Sequence, residues 1–157
     1  MSISENQKQD FSNLTITRSF DAPREKVFKA WTKSRHLINW WGPKDFTMPY
    51  HKMDIHPGGI YRCDLRAPDG SDHWMQGVYR EMVEPSHLAF THSWNEEGKM
   101  SPETLIAIEL TENNGKTDMV FYQSGFDDAS ERDNHENGWS ESFDRLDAYL
   151  ESEKAEF

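Results

Sequence analysis

The chain is 157 residues long, 35% hydrophobic, and carries a formal net charge of -11, which suits one domain burying about two-thirds of its unfolded surface in a single core. Its 17 Lys and Arg residues are scattered rather than gathered into a stripe, so the acidic excess repels phosphate backbones and excludes nucleic acid as an expected partner. The single cysteine, Cys63, permits no internal disulfide, no run approaches a membrane span of about eighteen apolar residues, and the opening MSISENQKQDFS lacks a signal-peptide pattern, so a cytoplasmic location is expected.

Residues 1–12 are polar and aperiodic and read as a loose arm ahead of one domain over 13–154. Leu14–Phe20 alternates apolar and polar residues, which predicts a first strand with one buried face. Pro23 suits the start of a helix because its missing N–H costs nothing in the first turn; Val27, Phe28 and Trp31 then share a face, and the helix should end near Lys33. A second short helix over His36–Trp41 is stopped by Gly42-Pro43.

From Phe46 to Phe126 the period falls to two, and five turn signals recur, at Pro57-Gly58-Gly59, Pro68-Asp69-Gly70, Glu84-Pro85-Ser86, Asn95–Gly98 and Asn113-Asn114-Gly115. They separate six strands at about 46–55, 59–67, 73–83, 87–94, 103–112 and 117–125, an antiparallel meander that the first strand extends to seven. Beyond Phe126, Trp139, Phe143, Leu146 and Leu150 fall at spacings of four, three and four, the stripe of a long C-terminal helix whose other face carries Glu141, Asp144, Arg145, Asp147 and Glu151.

This order of elements predicts an α+β fold in which a seven-stranded curved antiparallel sheet wraps the long C-terminal helix, and the two short helices after the first strand plug one end. A gap near the open end is then the expected ligand site.

Several spaced segments resemble a known family: Ile16-Thr17-Arg18 through Trp31, Trp40–Phe46 (WWGPKDF), Asp54–Gly59, Gln76–Tyr79, Leu88–Thr91, and Gly138-Trp139 before Phe143 and Leu146. The chain is similar, over roughly residues 14–150, to bacterial relatives of the C-terminal domain of the activator of the ninety-kilodalton heat-shock-protein ATPase. These lie within the START-like, birch-pollen-allergen-like superfamily that includes polyketide cyclases. The resemblance implies the helix-grip fold, and fold alone does not name a function. Asp45 stands where a glycine is usual after the Gly-Pro-Lys turn, so the turn conformation is the one point the resemblance does not carry. The eukaryotic activator's role also depends on a second, N-terminal chaperone-binding domain, which 157 residues are not expected to hold, so the resemblance does not carry a co-chaperone role to this chain.

Strand alternation directs Tyr61, Cys63 and Leu65 inward, then Met75, Gly77, Tyr79 and Glu81, then Leu88, Phe90, His92 and Trp94, with Ile106, Ile108 and Leu110 facing Met119, Phe121 and Gln123. Most of these are plain core. The polar exceptions are Glu81, His92, Gln123 and, from the last helix, His135. An inward Glu81 with His92 beside it could serve as acid and base, and both could equally be side chains satisfied within the core. The candidate ligand-binding set is Trp40, Trp41, Tyr61, Cys63, Trp74, Tyr79, Glu81, Phe90, His92, Trp94, Phe121, Gln123, His135 and Trp139, with Trp40, Trp41, Trp74 and Trp94 placed nearer the rim and Glu81 and His92 as the catalytic candidates.

No metal site is expected, because His51 with His56 and His87 with His92 are each five residues apart and point to opposite strand faces. A cysteine inside a strand reads as a small hydrophobe rather than a nucleophile. Gly58-Gly59 enters a strand and Gly42-Pro43 leaves a helix, so neither cradles a nucleotide. Without an expected cofactor, the leading reading is a binding domain for a hydrophobic or aromatic small molecule. A cyclase- or dehydratase-like enzyme using Glu81 and His92 is the second reading. A chaperone- or stress-related module with a protein partner is the third, and a homodimer is compatible with all of them.

Overall fold

The computed structural model describes residues 12–152. All but Ser12 of the expected N-terminal arm, and residues 153–154 of the expected domain, lie outside the described residues. The strands are β1 (Asn13–Phe20), β2 (Thr47–Met53), β3 (Ile60–Arg66), β4 (Asp72–Val83), β5 (His87–Glu96), β6 (Lys99–Met100), β7 (Thr104–Asn113) and β8 (Lys116–Ser124), and the helices are α1 (Arg24–Thr32), α2 (Ser34–Leu37) and α3 (Ala129–Glu151). They form one curved, unclosed antiparallel sheet in the order β1-β8-β7-β5-β4-β3-β2. The meander expected from the turn signals is present, with β1 carried across to pair with β8 from Asn13↔Ser124 to Phe20↔Thr117. The addition is β6, two residues that pair with the end of β5 and are too short to show a period.

Each helix begins and ends for a local reason. Pro23 holds φ at -64° as the residue before α1, and its carbonyl accepts from the N–H groups of Lys26 and Val27. The first short helix stops at Lys33, as its periodicity predicts, while the second is only one turn long and passes through turns to Gly42, whose φ of 116° suits glycine. Asp128 caps α3 by accepting from the N–H of Glu131 at 2.7 Å. The turn that the resemblance leaves open keeps its left-handed residue, since Asp45 sits at φ 68°.

The interior is mostly aromatic. Trp31 from α1 meets Trp40, Phe121, Trp139 and Phe143 at ring-centre distances of 4.7, 6.4, 5.9 and 6.0 Å. The buried stripe of α3 is Trp139, Ser142, Phe143 and Leu146, with Trp139 4.8 Å from Phe121 of β8. Arg18 of β1 anchors the solvated side of α3 through Asp144 at 2.8 Å and the Ser140 carbonyl at 2.9 Å. The helix therefore lies against the β1–β8 side, and α1, α2 and the segment from Trp41 to Phe46 complete the cover.

One irregularity redirects side chains. Tyr79 pairs with Phe90, but Glu81 pairs with Ala89, so Arg80 is an extra residue and the faces of β4 exchange at that point. Just before the bulge, a Cβ on Gly77 would lie 1.9 Å from the Thr91 carbonyl oxygen, so only glycine allows the strands to approach this closely. The phenol of Tyr61 donates to that same carbonyl at 2.7 Å, and Thr91 Oγ1 accepts from the N–H of Val78 at 2.9 Å, so side chains supply partners where the ladder is interrupted between Gln76↔Ser93 and Tyr79↔Phe90.

Candidate functional site

The aromatic core does not fill the end of the molecule between the first half of α3 and strands β3–β5. A pocket of about 420 Å³ remains there, within the range of about 300–1,000 Å³ common for small-molecule sites. Its walls come from three sources: Trp41, Gly42, Pro43 and Phe46 of the α2–β2 loop; Leu65, His73, His92 and Trp94 of the strands; and Glu131, Asn134, His135, Gly138, Trp139 and Ser142 of α3.

The loop wall is fastened to the helix wall. Arg145 donates to the carbonyls of Gly42, Pro43 and Asn39 at 2.9, 3.0 and 3.2 Å. The N–H of Gly42 donates to Ser142 Oγ at 2.9 Å, and that of Lys44 to Glu141 at 3.0 Å. Trp41 is thereby held 5.7 Å from Trp139, and these rings form an indole corner of the pocket. On the opposite side His73 bridges Glu96 at 3.0 Å and Ser71 at 3.2 Å, fixing the rim.

The pocket is electrostatically quiet at its centre. The Trp94 indole N–H donates to His135 Nε2 at 3.0 Å, which places the proton of the neutral imidazole on Nδ1. Burial pushes His135 down to about 4, and burial together with the neighbouring His135 pushes His92 down to about 3. Both rings are uncharged near neutral pH. The 3.8 Å approach of Glu131 to His135 is therefore a contact and not an ion pair, and burial with nearby Asp128 and Asp127 raises the Glu131 carboxyl. Among the described residues no group pairs with either ring nitrogen of His92, since Thr104 reaches only its backbone carbonyl, at 3.2 Å.

Five of the candidate ligand-binding residues meet at this pocket: Trp41, His92, Trp94, His135 and Trp139. The others lie elsewhere. Trp40 is fully buried against Trp31 and donates its indole N–H to the Ala30 carbonyl at 3.1 Å. Tyr61, Cys63, Tyr79, Phe90 and Phe121 are inward, as alternation predicts, but they pack the core beneath the pocket. Gln123 is spent within the protein, accepting from Trp139 Nε1 at 3.0 Å and donating to Thr104 at 2.9 Å. Trp74 shares its strand with inward Met75 and so faces out, with Tyr50 at 5.4 Å and the Arg62 guanidinium 4.2 Å over its ring.

Glu81 is the clearest correction. The bulge at Arg80 turns it to the outer face, where its side chain is 66% exposed and pairs with His87 at 2.8 Å. His92 is inside at 3% exposure, so the expected acid–base pair does not share a cavity. Burial pushes the Cys63 thiol up to about 12, which leaves it protonated and unreactive.

Alternation could not find the remaining wall residues. Gly42, Pro43 and Phe46 sit in a loop without period, and Glu131, Asn134 and Gly138 lie on the flank of the helical stripe. The one usable signal was Gly138, a helix-interior glycine on the turn preceding Ser142. Among the described residues no cluster of three or more His, Cys, Asp or Glu side chains could hold a metal ion, and no helix is long and apolar enough to cross a membrane.

The family model described as "Activator of Hsp90 ATPase homolog 1-like protein" matches residues 21–151. Among solved structures the chain is similar to protein CV1439 from Chromobacterium violaceum, with 26% identity, a TM-score of 0.80, and coverage of 90% of this chain and 99% of that one. It is similar in fold to the AHSA1 protein from Silicibacter pomeroyi, at 22% identity and TM-score 0.80, covering 88% and 96% of the two chains. DynU16, a protein of the dynemicin biosynthetic locus, shares 22% identity at TM-score 0.73, with 90% of this chain covering 48% of that one. No curated protein sequence matches.

Proposed function

The chain belongs to the activator of Hsp90 ATPase homolog 1-like family, and from that premise we propose that it is a small-molecule binding domain whose guest, hydrophobic or aromatic, enters the pocket between the α2–β2 loop, β3–β5 and α3. One observation carries this reading. An interior otherwise packed with aromatic rings leaves about 420 Å³ unfilled by side chains, in a place walled by indoles and edged with a few polar groups.

The wall composition supports a flat guest. Trp41 and Trp139 present ring faces inclined by 32° to each other, and aromatic partners gain from offset or edge contact beyond the area they bury. The cyclase-like alternative loses its base, because Glu81 lies on the far face of the sheet. A proton-transfer role would have to rest on His92 and His135 alone.

The test is equilibrium dialysis of the purified protein against two-ring aromatics, alongside native mass spectrometry for any adduct that co-purifies. Trp41→Ala should weaken binding by about tenfold or more, as expected for removing an anchoring aromatic from a desolvated pocket. Unchanged affinity in Trp41→Ala, with the protein still folded by circular dichroism, would place the guest elsewhere and end this reading.

A further inference from the structure

Resting on that binding reading, the pocket's polar atoms narrow the class of guest. Most are already engaged: Trp94 with His135, Trp139 with Gln123, and Ser142 Oγ between the Gly42 N–H and the Gly138 carbonyl. His92 differs. It points inward from β5 into the pocket wall at 3% exposure, and among the described residues nothing pairs with its ring nitrogens. Its nitrogens are not sealed off without a partner in the way Trp31 Nε1 and Tyr79 Oη are, so the unpaired ring of a nearly buried residue faces space that a guest can reach.

The surroundings limit what that partner is. No Lys or Arg lines the pocket, the ionisable groups at its rim are the Glu131 carboxyl and His73, whose ring is already joined to Glu96 at 3.0 Å, and the chain as a whole carries -11. An anionic guest would leave water and find no counter-charge. A cationic guest would find Glu131 only at the mouth, where that side chain is 37% exposed, and would meet apolar indoles and neutral imidazoles inside. An uncharged guest avoids both costs. We infer that His92 is the hydrogen-bonding anchor for a flat, uncharged aromatic guest bearing a hydroxyl group, with Trp41 and Trp139 as the walls against which its rings lie. A neutral imidazole offers one N–H and one bare nitrogen, and a hydroxyl can answer either, so the pairing holds for both tautomers.

Equilibrium dialysis with 1-naphthol, naphthalene and 1-naphthoate separates the possibilities. The wild-type protein should bind 1-naphthol roughly fivefold or more tightly than naphthalene, the size expected for one net hydrogen bond, and more tightly than 1-naphthoate. His92→Leu should bring the naphthol-to-naphthalene ratio close to unity while naphthalene binding persists, and His92→Gln, which keeps a donor and an acceptor, should retain a preference. Because a core substitution can unfold the protein, the ring ¹⁵N resonances of His92 in the wild type give a second readout. They should shift with 1-naphthol and stay in place with naphthalene. Equal affinities for naphthol and naphthalene, tightest binding of naphthoate, or a silent His92 ring would each overturn the assignment while leaving the pocket intact. Failure of both neutral probes to bind at all would overturn the pocket reading itself.

Discussion

Replacing Gly138 by alanine should stabilise this protein while spoiling its pocket. Gly138 lies inside α3, where glycine costs about 0.5–1 kcal/mol relative to alanine. Its backbone is not in the left-handed region, so no conformational need opposes the change. A methyl placed on it would meet nothing nearer than Pro43 Cγ at 3.7 Å, an ordinary contact, so the propensity gain should survive almost undiminished. The expected gain is about 0.5–1 kcal/mol, a rise in Tm of about 1–4 °C for a chain this long. Urea unfolding followed by circular dichroism should show a higher midpoint with an unchanged slope. The same methyl projects into the pocket wall and should weaken 1-naphthol binding. A loss of stability of about 1 kcal/mol would refute the reasoning, because it would mean that the space beside Gly138 is already occupied.

Substitutions at four further positions probe other parts of the structure. Asp45 occupies φ 68°, so Asp45→Val should cost about 1–2 kcal/mol more than Asp45→Gly in thermal unfolding, since a β-branched residue tolerates that region worst. Gln123→Leu should lose about 1–3 kcal/mol by leaving the Trp139 indole N–H without an acceptor, whereas a residue serving only a guest would show no change in stability without one. His92 and His135 stay neutral in the folded protein, so stability is full above about pH 6.5 and falls as pH drops toward about 4 and about 3, by up to roughly 1.4 kcal/mol per pH unit for each. His92→Gln should flatten that acid slope by one histidine's share. His87 has the opposite sign: the hydrogen bond it donates to Glu81 raises it most, burial opposes this to a smaller extent, and the hydrogen bond it donates to Glu109 adds to the rise, so its contribution is complete below the unfolded value near 6.5 and fades as pH rises through the folded one. Compared with His87→Gln, the wild type should gain stability in mild acid and lose that advantage in alkali.

The strands were legible because their boundaries are chemical. Turns rich in glycine, asparagine and proline delimit β2–β5, β7 and β8, and each begins and ends within about two residues of its predicted place. The stripe of α3 was legible for the same reason, since Trp139, Phe143 and Leu146 must share a face to be buried together. Parity fails at a bulge. Nothing in the residues from Val78 to Glu81 announces that Arg80 lacks a partner, because that depends on how β4 bends against β5, and so Glu81 changed sides. Trp74 exposes a different weakness: its size suggested a cavity wall, but its parity with Met75 sends it outward, and parity is the stronger rule. The pocket was only partly legible, since it is defined by what the core fails to fill. Trp40 and Trp41 are neighbours in sequence, yet one seals the core and the other faces the pocket, a choice made by the turns after α2.

The guanidinium of Arg145 gives this architecture a mechanical asymmetry. By gripping three backbone carbonyls it welds the loop bearing Trp41 to the helix bearing Trp139, so the two indole faces travel as one jaw. The opposing jaw is joined to the same helix by the single hydrogen bond from Trp94 to His135, near the end of β5 beside a partner strand only two residues long, so widening to admit a larger guest breaks fewer hydrogen bonds on that side. Selectivity for shape would reside in the stiff half, and tolerance of size in the yielding one.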